Sequence, residues 1–333
     1  MILERLRSGS IAKPLAVFTA VVAIFAAVDG DHMRFLSGST LFSTLETFAT
    51  GGLIALGLGL TMIAGEFDIS VVGVYSLAGC VAVLTGAQSP VLGAVIAMAV
   101  GAAVGIGQGL IVTRLRLNSV AVTLGGMLTC NGIAAVLTGN QSIAYPNVNV
   151  ALAIAQPILG PLTIRSLIAF AMFGAMAAFI AFTRPGRDLI ALGSDRRAAV
   201  VAGAPVSALI VVVFAFSGLC AALSGAMISY SLAAASPSGL TDVLLPAAAA
   251  AILGGVSLGG GSGRPIGLMF GVLTLSVLRS GFNALGAPPY ANDVAMGAIL
   301  LGVGTLDGPD LWRRAASLRL KLAEMRNEFA KQD

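Results

Sequence analysis

Apolar and polar positions do not alternate at short period along this chain; they segregate into long apolar stretches joined by short polar or proline- and glycine-marked connections. The stretches cover residues 14–28, 41–64, 69–86, 91–113, 119–138, 164–183, 206–232, 243–258, 265–285 and 291–307. A helix needs about 20 mostly apolar residues to cross a bilayer, whereas a membrane barrel would show alternating strands of about ten. The pattern therefore predicts an all-α, polytopic helical membrane protein with about ten transmembrane helices. The stretches at 243–258 and 291–307 are short and interrupted by glycine or proline, so a tilted, broken or re-entrant course fits them as well as a full crossing.

Composition sharpens this. Of 333 residues 57% are hydrophobic and only 10% charged, with mean hydropathy +0.95 and 42 glycines. Soluble domains carry about 25% charged residues. The lipid must therefore act as solvent for most of the surface. Helices sharing one bilayer form one unit, so residues 1–310 are read as a single transmembrane domain. Residues 311–333 are read as a cytoplasmic tail, in which Leu318, Leu322, Met325 and Phe329 form an apolar stripe among Arg and Lys. Such a basic amphipathic helix suits the anionic inner leaflet.

Charge also orients the chain. With the N-terminus cytoplasmic and ten crossings, 16 of the 19 Lys and Arg residues fall in cytoplasmic segments, leaving Arg34, Arg165 and Arg279 on the outer side. That is the bias the positive-inside rule demands, and it puts both termini in the cytoplasm. The first stretch, behind Arg5, Arg7 and Lys13, is read as an uncleaved helix rather than a signal peptide.

Chemistry is sparse. The only histidine is His32, and Cys80, Cys130 and Cys220 lie inside apolar stretches at no metal-ligand spacing, so neither a metal site nor a catalytic residue is expected. The three lysines, Lys13, Lys321 and Lys331, follow no phosphate-binding loop, and the run from Gly259 to Gly263 lacks the lysine that reaches the phosphates. That run is read as a tight turn. The chain is accordingly expected to bind no cofactor and to hold no ATPase site. Glu66 and Asp68 are placed near an inner helix end, and no carboxylate is placed at mid-membrane depth where a proton relay would need one.

Four groups of residues stand out. In the connection 184–205, Ser194 is placed as the cap of a short helix whose first turn holds Asp195, Arg196 and Arg197; Gly203 stands where a left-handed terminator belongs, and Pro205 prevents continuation. A capped helix there is a surface for another protein. Gly65, Asp68 and Ser70 form a second group, an Asp-x-Ser start for the next helix. Gly101, Gly105 and Gly109 repeat at the four-residue spacing of close helix packing, as do Gly267 and Gly271. Gly51 and Gly52 stand near the middle of the second stretch, where a break would turn backbone groups toward a polar path. With Asn131 and Asn283 they are the candidates for the translocation path. The outer connection 139–163 has no charged residue and three prolines, and is read as lying on the membrane surface or a partner.

The segment Gly65-Glu66-Phe67-Asp68-Ile69-Ser70, followed by Val71-Val72-Gly73, resembles the G-G-I-D-L-S-V-G segment of the ribose/xylose/arabinose-type sugar permease subunits of bacterial ABC importers. Three further stretches are similar in the same order. They run from Thr123-Leu124-Gly125 to Leu137-Thr138-Gly139, from Ala191-Leu192-Gly193 through Ala202-Gly203 to Phe216-Ser217-Gly218-Leu219, and from Ala249 to Gly259-Gly260. Glu66 stands where that family commonly has glycine, and Ser194-Asp195 where a Gly-Asn pair is frequent. The resemblance implies the membrane-spanning permease of an ATP-binding-cassette importer in the bacterial inner membrane, paired with a second permease subunit as a homo- or heterodimer. It implies a separate cytoplasmic ATPase subunit that binds the ATP, for which the capped 184–205 connection is the expected docking element, and an extracytoplasmic binding protein that delivers a sugar or sugar-like solute. No nucleic acid is implied. The reading from another class is an ion-coupled secondary transporter of a small polar solute.

Overall fold

The computed structural model describes residues 11–30, 33–240 and 242–306. His32 and the proposed tail at 311–333 lie outside them. The described chain is mostly helical, in the order α1 (Ala12–Asp29), α2 (Gly38–Ile63), α3 (Val71–Thr85), α4 (Pro90–Leu115), α5 (Ser119–Thr138), α6 (Val148–Ala155), α7 (Ile164–Phe182), α8 (Arg184–Ser194), α9 (Arg196–Val201), α10 (Val206–Ser231), α11 (Leu244–Leu253), α12 (Pro265–Ala284) and α13 (Pro289–Leu306). Four short strands are added: β1 (Ile143–Ala144), β2 (Pro157–Leu159), β3 (Leu162–Thr163) and β4 (Ala234–Ala235). Among the described residues seven helices, α1, α2, α4, α5, α7, α10 and α12, are long and apolar enough to cross a membrane, while α3 and α11 are shorter apolar helices. Each apolar stretch read from the sequence lies on a helix. One compact unit ends at Ala287, and α13 belongs to a second that begins at Pro288.

Capping chemistry sets where the helices begin. Ser37 accepts the Thr40 amide at the start of α2, Ser89 precedes Pro90 at the start of α4, and Asn118 accepts the Val120 amide at the start of α5. Thr163 and Ser166 cap α7 reciprocally. In each case a side-chain oxygen replaces the partner that a first-turn amide lacks.

Helix α2 is the axis of the bundle. Fully 78% of its most apolar window is buried, against 17% for the peripheral α5. It runs unbroken through Gly51 and Gly52, so of the two readings of these glycines the break is the one not formed. A Cβ at Gly52 would lie 3.3 Å from the Phe173 ring of α7, an ordinary packing role, and one at Gly51 would meet nothing within 4 Å.

The spaced glycines do pack helices. A Cβ on Gly101, Gly105 or Gly109 of α4 would stand 2.4 Å from the Gly218 carbonyl oxygen, 2.1 Å from that of Phe214 and 2.7 Å from Val211 Cα, all on α10. On its other side α10 meets α3, where a Cβ on Gly225 would fall 2.1 Å from the Tyr75 carbonyl oxygen. Gly271 of α12 approaches the Ala250 carbonyl of α11 in the same way. Lipid supplies no hydrophobic drive for helix association, so contact between backbones has to provide it through dispersion and weak hydrogen bonds.

The 139–163 connection carries more structure than its composition suggested. It holds α6, pairs β1 with β4 (Ile143 opposite Ala235) and folds β2 onto β3 (Pro157 opposite Thr163). Tyr145 anchors it, donating to the Gly86 carbonyl at 2.9 Å and packing on the Tyr230 ring with centroids 4.7 Å apart.

Two glycines two positions apart on α4 separate packing from propensity. Gly→Ala in a helix interior gains about 0.5–1 kcal/mol from chain entropy. Gly107 meets nothing within 4 Å, so Gly107→Ala should raise the thermal midpoint of the detergent-solubilised protein or leave it unchanged. Gly105→Ala should lower it, the overpacking costing about 1–3 kcal/mol. Equal midpoints for the two variants would refute the close-contact reading.

Candidate functional site

The end of the bundle where α2 stops is closed by three glycine-bearing turns. Helix α2 ends in a Schellman motif: Gly65 has φ +79°, its amide donates to the Met62 carbonyl, and the Glu66 amide reaches back to Thr61, both at 2.9 Å. The last residues of α8 lie against this turn. A Cβ on Gly193 would stand 1.9 Å from the Ile63 carbonyl oxygen and 2.4 Å from the Gly261 nitrogen, so only glycine fits. The third turn, between α11 and α12, carries Gly260 and Gly261 at φ +83° and +72°. The Gly261 amide donates to Ile63 at 2.9 Å, and the Ser194 hydroxyl donates to the Gly261 carbonyl at 3.3 Å. The 259–263 run is thus a tight turn whose backbone is committed to α2 and α8.

The 184–205 connection is two helices, not one. Helix α8 buries Leu189 and Leu192. Asp195 then caps α9, its Oδ1 accepting the Arg197 and Ala198 amides at 2.8 and 3.0 Å. This corrects the assignment of Ser194 as cap: Ser194 closes α8, bonding back to the Ile190 carbonyl, and Asp195 stands outside both helices rather than in a first turn. Gly203 takes φ +83° and completes a second Schellman motif, in which the Ala204 amide donates to Ala199. Arg196 pairs with Glu66 at 3.1 Å, so it is engaged within the chain. Arg197, Val200 and Val201 face outward, Val201 at 88% exposure.

Asp68 stands just before the start of α3 but is not exposed there. It is 1% exposed and lies two residues before Ser70, the N-cap of α3. Its Oδ1 accepts the Ser70 amide and hydroxyl at 3.0 and 2.5 Å, and its Oδ2 accepts the Ser217 hydroxyl of α10 at 2.7 Å. Ser70 makes no side-chain cap bond, so the carboxylate satisfies the helix start in its place. The backbone around it is stitched to α5: the Phe67 amide donates to the Ser119 hydroxyl at 3.3 Å, and the Ile69 amide to that of Thr123 at 3.1 Å. Asp68 thus stands at the start of α3, as its spacing to Ser70 led one to expect, and is in addition tied to Ser217, well inside α10.

A second buried polar cluster stands toward the opposite end and was not read from the sequence as a cluster. Arg165, 3% exposed, pairs with Glu46 and donates to the Thr50 and Ser231 hydroxyls, while Thr163 donates to the other Glu46 oxygen at 2.5 Å. It ties α2, α7 and the end of α10 together. The path candidates are not brought together. Gly51 and Gly52 are midway along α2, Asn131 lies on α5 with its Oδ1 buried and unbonded, and Asn283 is exposed near the end of α12. Gln108 of α4, also missed, is 5% exposed against Gly126 with both amide ends unpaired.

No three His, Cys, Asp or Glu side chains among the described residues are placed to hold a metal ion. A bundle in which seven helices among the described residues are long and apolar enough to cross a membrane has the build of a membrane component. The family described as branched-chain amino acid transport system / permease component matches residues 40–304, and the chain belongs to it. It is a multi-pass protein of the bacterial inner membrane. Ribose import permease protein RbsC of Escherichia coli (strain K12) is 31% identical over 289 residues, covering 85% of this chain and 89% of that protein. The L-arabinose ABC transporter permease protein AraH of Azospirillum brasilense is 28% identical over 84% of this chain and 83% of its own length. The D-allose transport system permease protein AlsC of Escherichia coli (strain K12) is 28% identical over 87% of this chain and 89% of its own. No solved structure matches the chain.

The Arg165 cluster yields a stability prediction. Removing one member of a buried pair strands the other charge at about 3–5 kcal/mol, whereas removing both costs far less. Arg165→Met should therefore lower the thermal midpoint more than Arg165→Met combined with Glu46→Leu. A double variant less stable than the single one would show that the pair is not the strut described.

Proposed function

We propose that this chain is the membrane-spanning permease subunit of an ATP-binding-cassette importer and forms the translocation path for a sugar or sugar-like solute. The observation that carries this is similarity to a ribose import permease along 85% of the chain. Arabinose and allose permeases match over a similar extent. The path serves a solute delivered by an extracytoplasmic binding protein, between two permease subunits.

In this reading the energy arrives from a separate ATPase, because the chain has neither the lysine of a phosphate-binding loop nor a glycine run free to cradle phosphate. The run that comes nearest, 259–263, spends its backbone on Ile63 and Ser194. The ATPase docks on α9, where outward Val200 and Val201 offer an apolar knob and Arg197 a charge. Both termini are cytoplasmic and the chain crosses ten times, with α3 and α11 as short crossings and residues 311–333 as a tail on the inner leaflet.

Reconstitution tests the reading. In proteoliposomes holding the permease, its ATPase and its binding protein, uptake of D-ribose, L-arabinose or D-allose should require ATP on the cytoplasmic side and persist when an uncoupler collapses the proton gradient. Accumulation by the permease alone under an imposed proton or sodium gradient would replace the importer with an ion-coupled transporter.

A further inference from the structure

We infer that the recess bounded by Asn131, Asn140, Ser142, Ser236 and Ser238 is a subsite that receives the neutral, polyhydroxylated solute at the end of the bundle opposite α8 and α9. This rests on the sugar reading above and assigns that solute a place on this chain.

The recess is built by the fold. Helix α5 ends with two consecutive left-handed residues, Gly139 at φ +62° and Asn140 at φ +59°, which turn the chain back over the helix. Strand β1 then pairs with β4 antiparallel, Ile143 opposite Ala235 and Ala144 opposite Ala234. That register brings Ser142 and Ser236, the next residues out, to the same edge. A turn closed by the Gly239 amide on the Ser236 carbonyl at 3.0 Å returns Ser238 to the same side, its hydroxyl 3.1 Å from that of Ser236. Asn131, two turns before the end of α5, completes the wall. The recess, open to the outside, has a volume of about 430 Å³. Small-molecule pockets occupy about 300–1,000 Å³.

Its chemistry selects one class of ligand. Two carboxamides and three hydroxyls line it, together with Ala135 and Pro237, and no lining residue is ionisable. Amides and hydroxyls each donate and accept, which matches a sugar hydroxyl that does both. A charged solute would shed water there without gaining a counter-charge. The Asn131 amide is unspent: its Oδ1 is buried and has no partner, and a half-turn about χ2 exchanges it with the nitrogen. The neighbouring recess, of about 380 Å³ and lined by Ala87, Pro146, Asn147, Val148 and Asn149, differs on this point. There Asn147 is used to cap α6, accepting the Val150 amide at 3.3 Å.

Alkylation protection tests the assignment. With Cys80, Cys130 and Cys220 replaced by Ala, Ser236→Cys is reacted with N-ethylmaleimide in the reconstituted importer, with D-ribose, L-arabinose or D-allose in excess, and Asn149→Cys serves as the control in the second recess. At a sugar concentration twice its dissociation constant the Ser236→Cys reaction should slow about threefold. The control rate should not change, and Asn131→Leu should abolish the protection. Uptake of a sugar that leaves the Ser236→Cys rate unchanged would refute the subsite while the permease reading stands. No protection and no ATP-driven uptake with any of the three sugars would remove the sugar reading and the subsite with it.

Discussion

Contact between backbones, admitted only by glycine, is the constraint on which this structure depends. Side chains that meet lipid gain nothing by meeting each other, so helices hold together where their backbones can touch. Glycine provides that contact between α4 and α10, between α3 and α10 and between α11 and α12. At the α2 end it does something further. Gly193 sits over the Ile63 carbonyl, and Gly261 donates its amide to the same oxygen, so three turns from distant parts of the chain converge on the end of one helix.

Polar groups then act as struts rather than as solvent-facing decoration. Glu46 and Arg165 join α2 to α7, and the Thr50 and Ser231 hydroxyls also accept from the guanidinium. Asp68 joins the α2–α3 connection to α10 through Ser217. A buried charge is tolerated only when its hydrogen-bonding capacity is met. That requirement explains why hydroxyl-bearing residues surround both carboxylates.

The helices and the glycine stripes were legible in the sequence because each is a local, periodic signal. Gly101, Gly105 and Gly109 announce a packing face, although not that α10 is what they face. Whether Gly51 and Gly52 break α2 or pack it could not be decided locally, because paired glycines also occur where a neighbouring ring needs room, as Phe173 does at Gly52. Asp68 could be placed at the start of α3 from its spacing to Ser70, but nothing local shows that Ser217, far along the chain, reaches it. The Glu46–Arg165 pair was illegible for the same reason: its members lie on different helices, separated by 119 positions. Glu66 entered as a departure from a motif, and only the structure supplies its partner, Arg196. Gly203 could be read because a left-handed terminator followed by proline is a local pattern, and it takes φ +83°.

In the proposed importer these features form one mechanical path. Helix α9 presents Arg197, Val200 and Val201 outward, and α8 behind it bears through Gly193 on the end of α2. Movement imposed on α9 by an ATPase would pass by rigid contact to the central helix and the α11–α12 turn together. The most direct measurement is made on Gly193→Ala, whose added methyl would stand 1.9 Å from the Ile63 oxygen and must push α8 off the α2 end. The account predicts a complex that assembles and hydrolyses ATP when the binding protein is added, while solute carried per ATP hydrolysed falls well below that of the unmodified importer. An unchanged ratio of transport to hydrolysis in an assembled Gly193→Ala complex would contradict it.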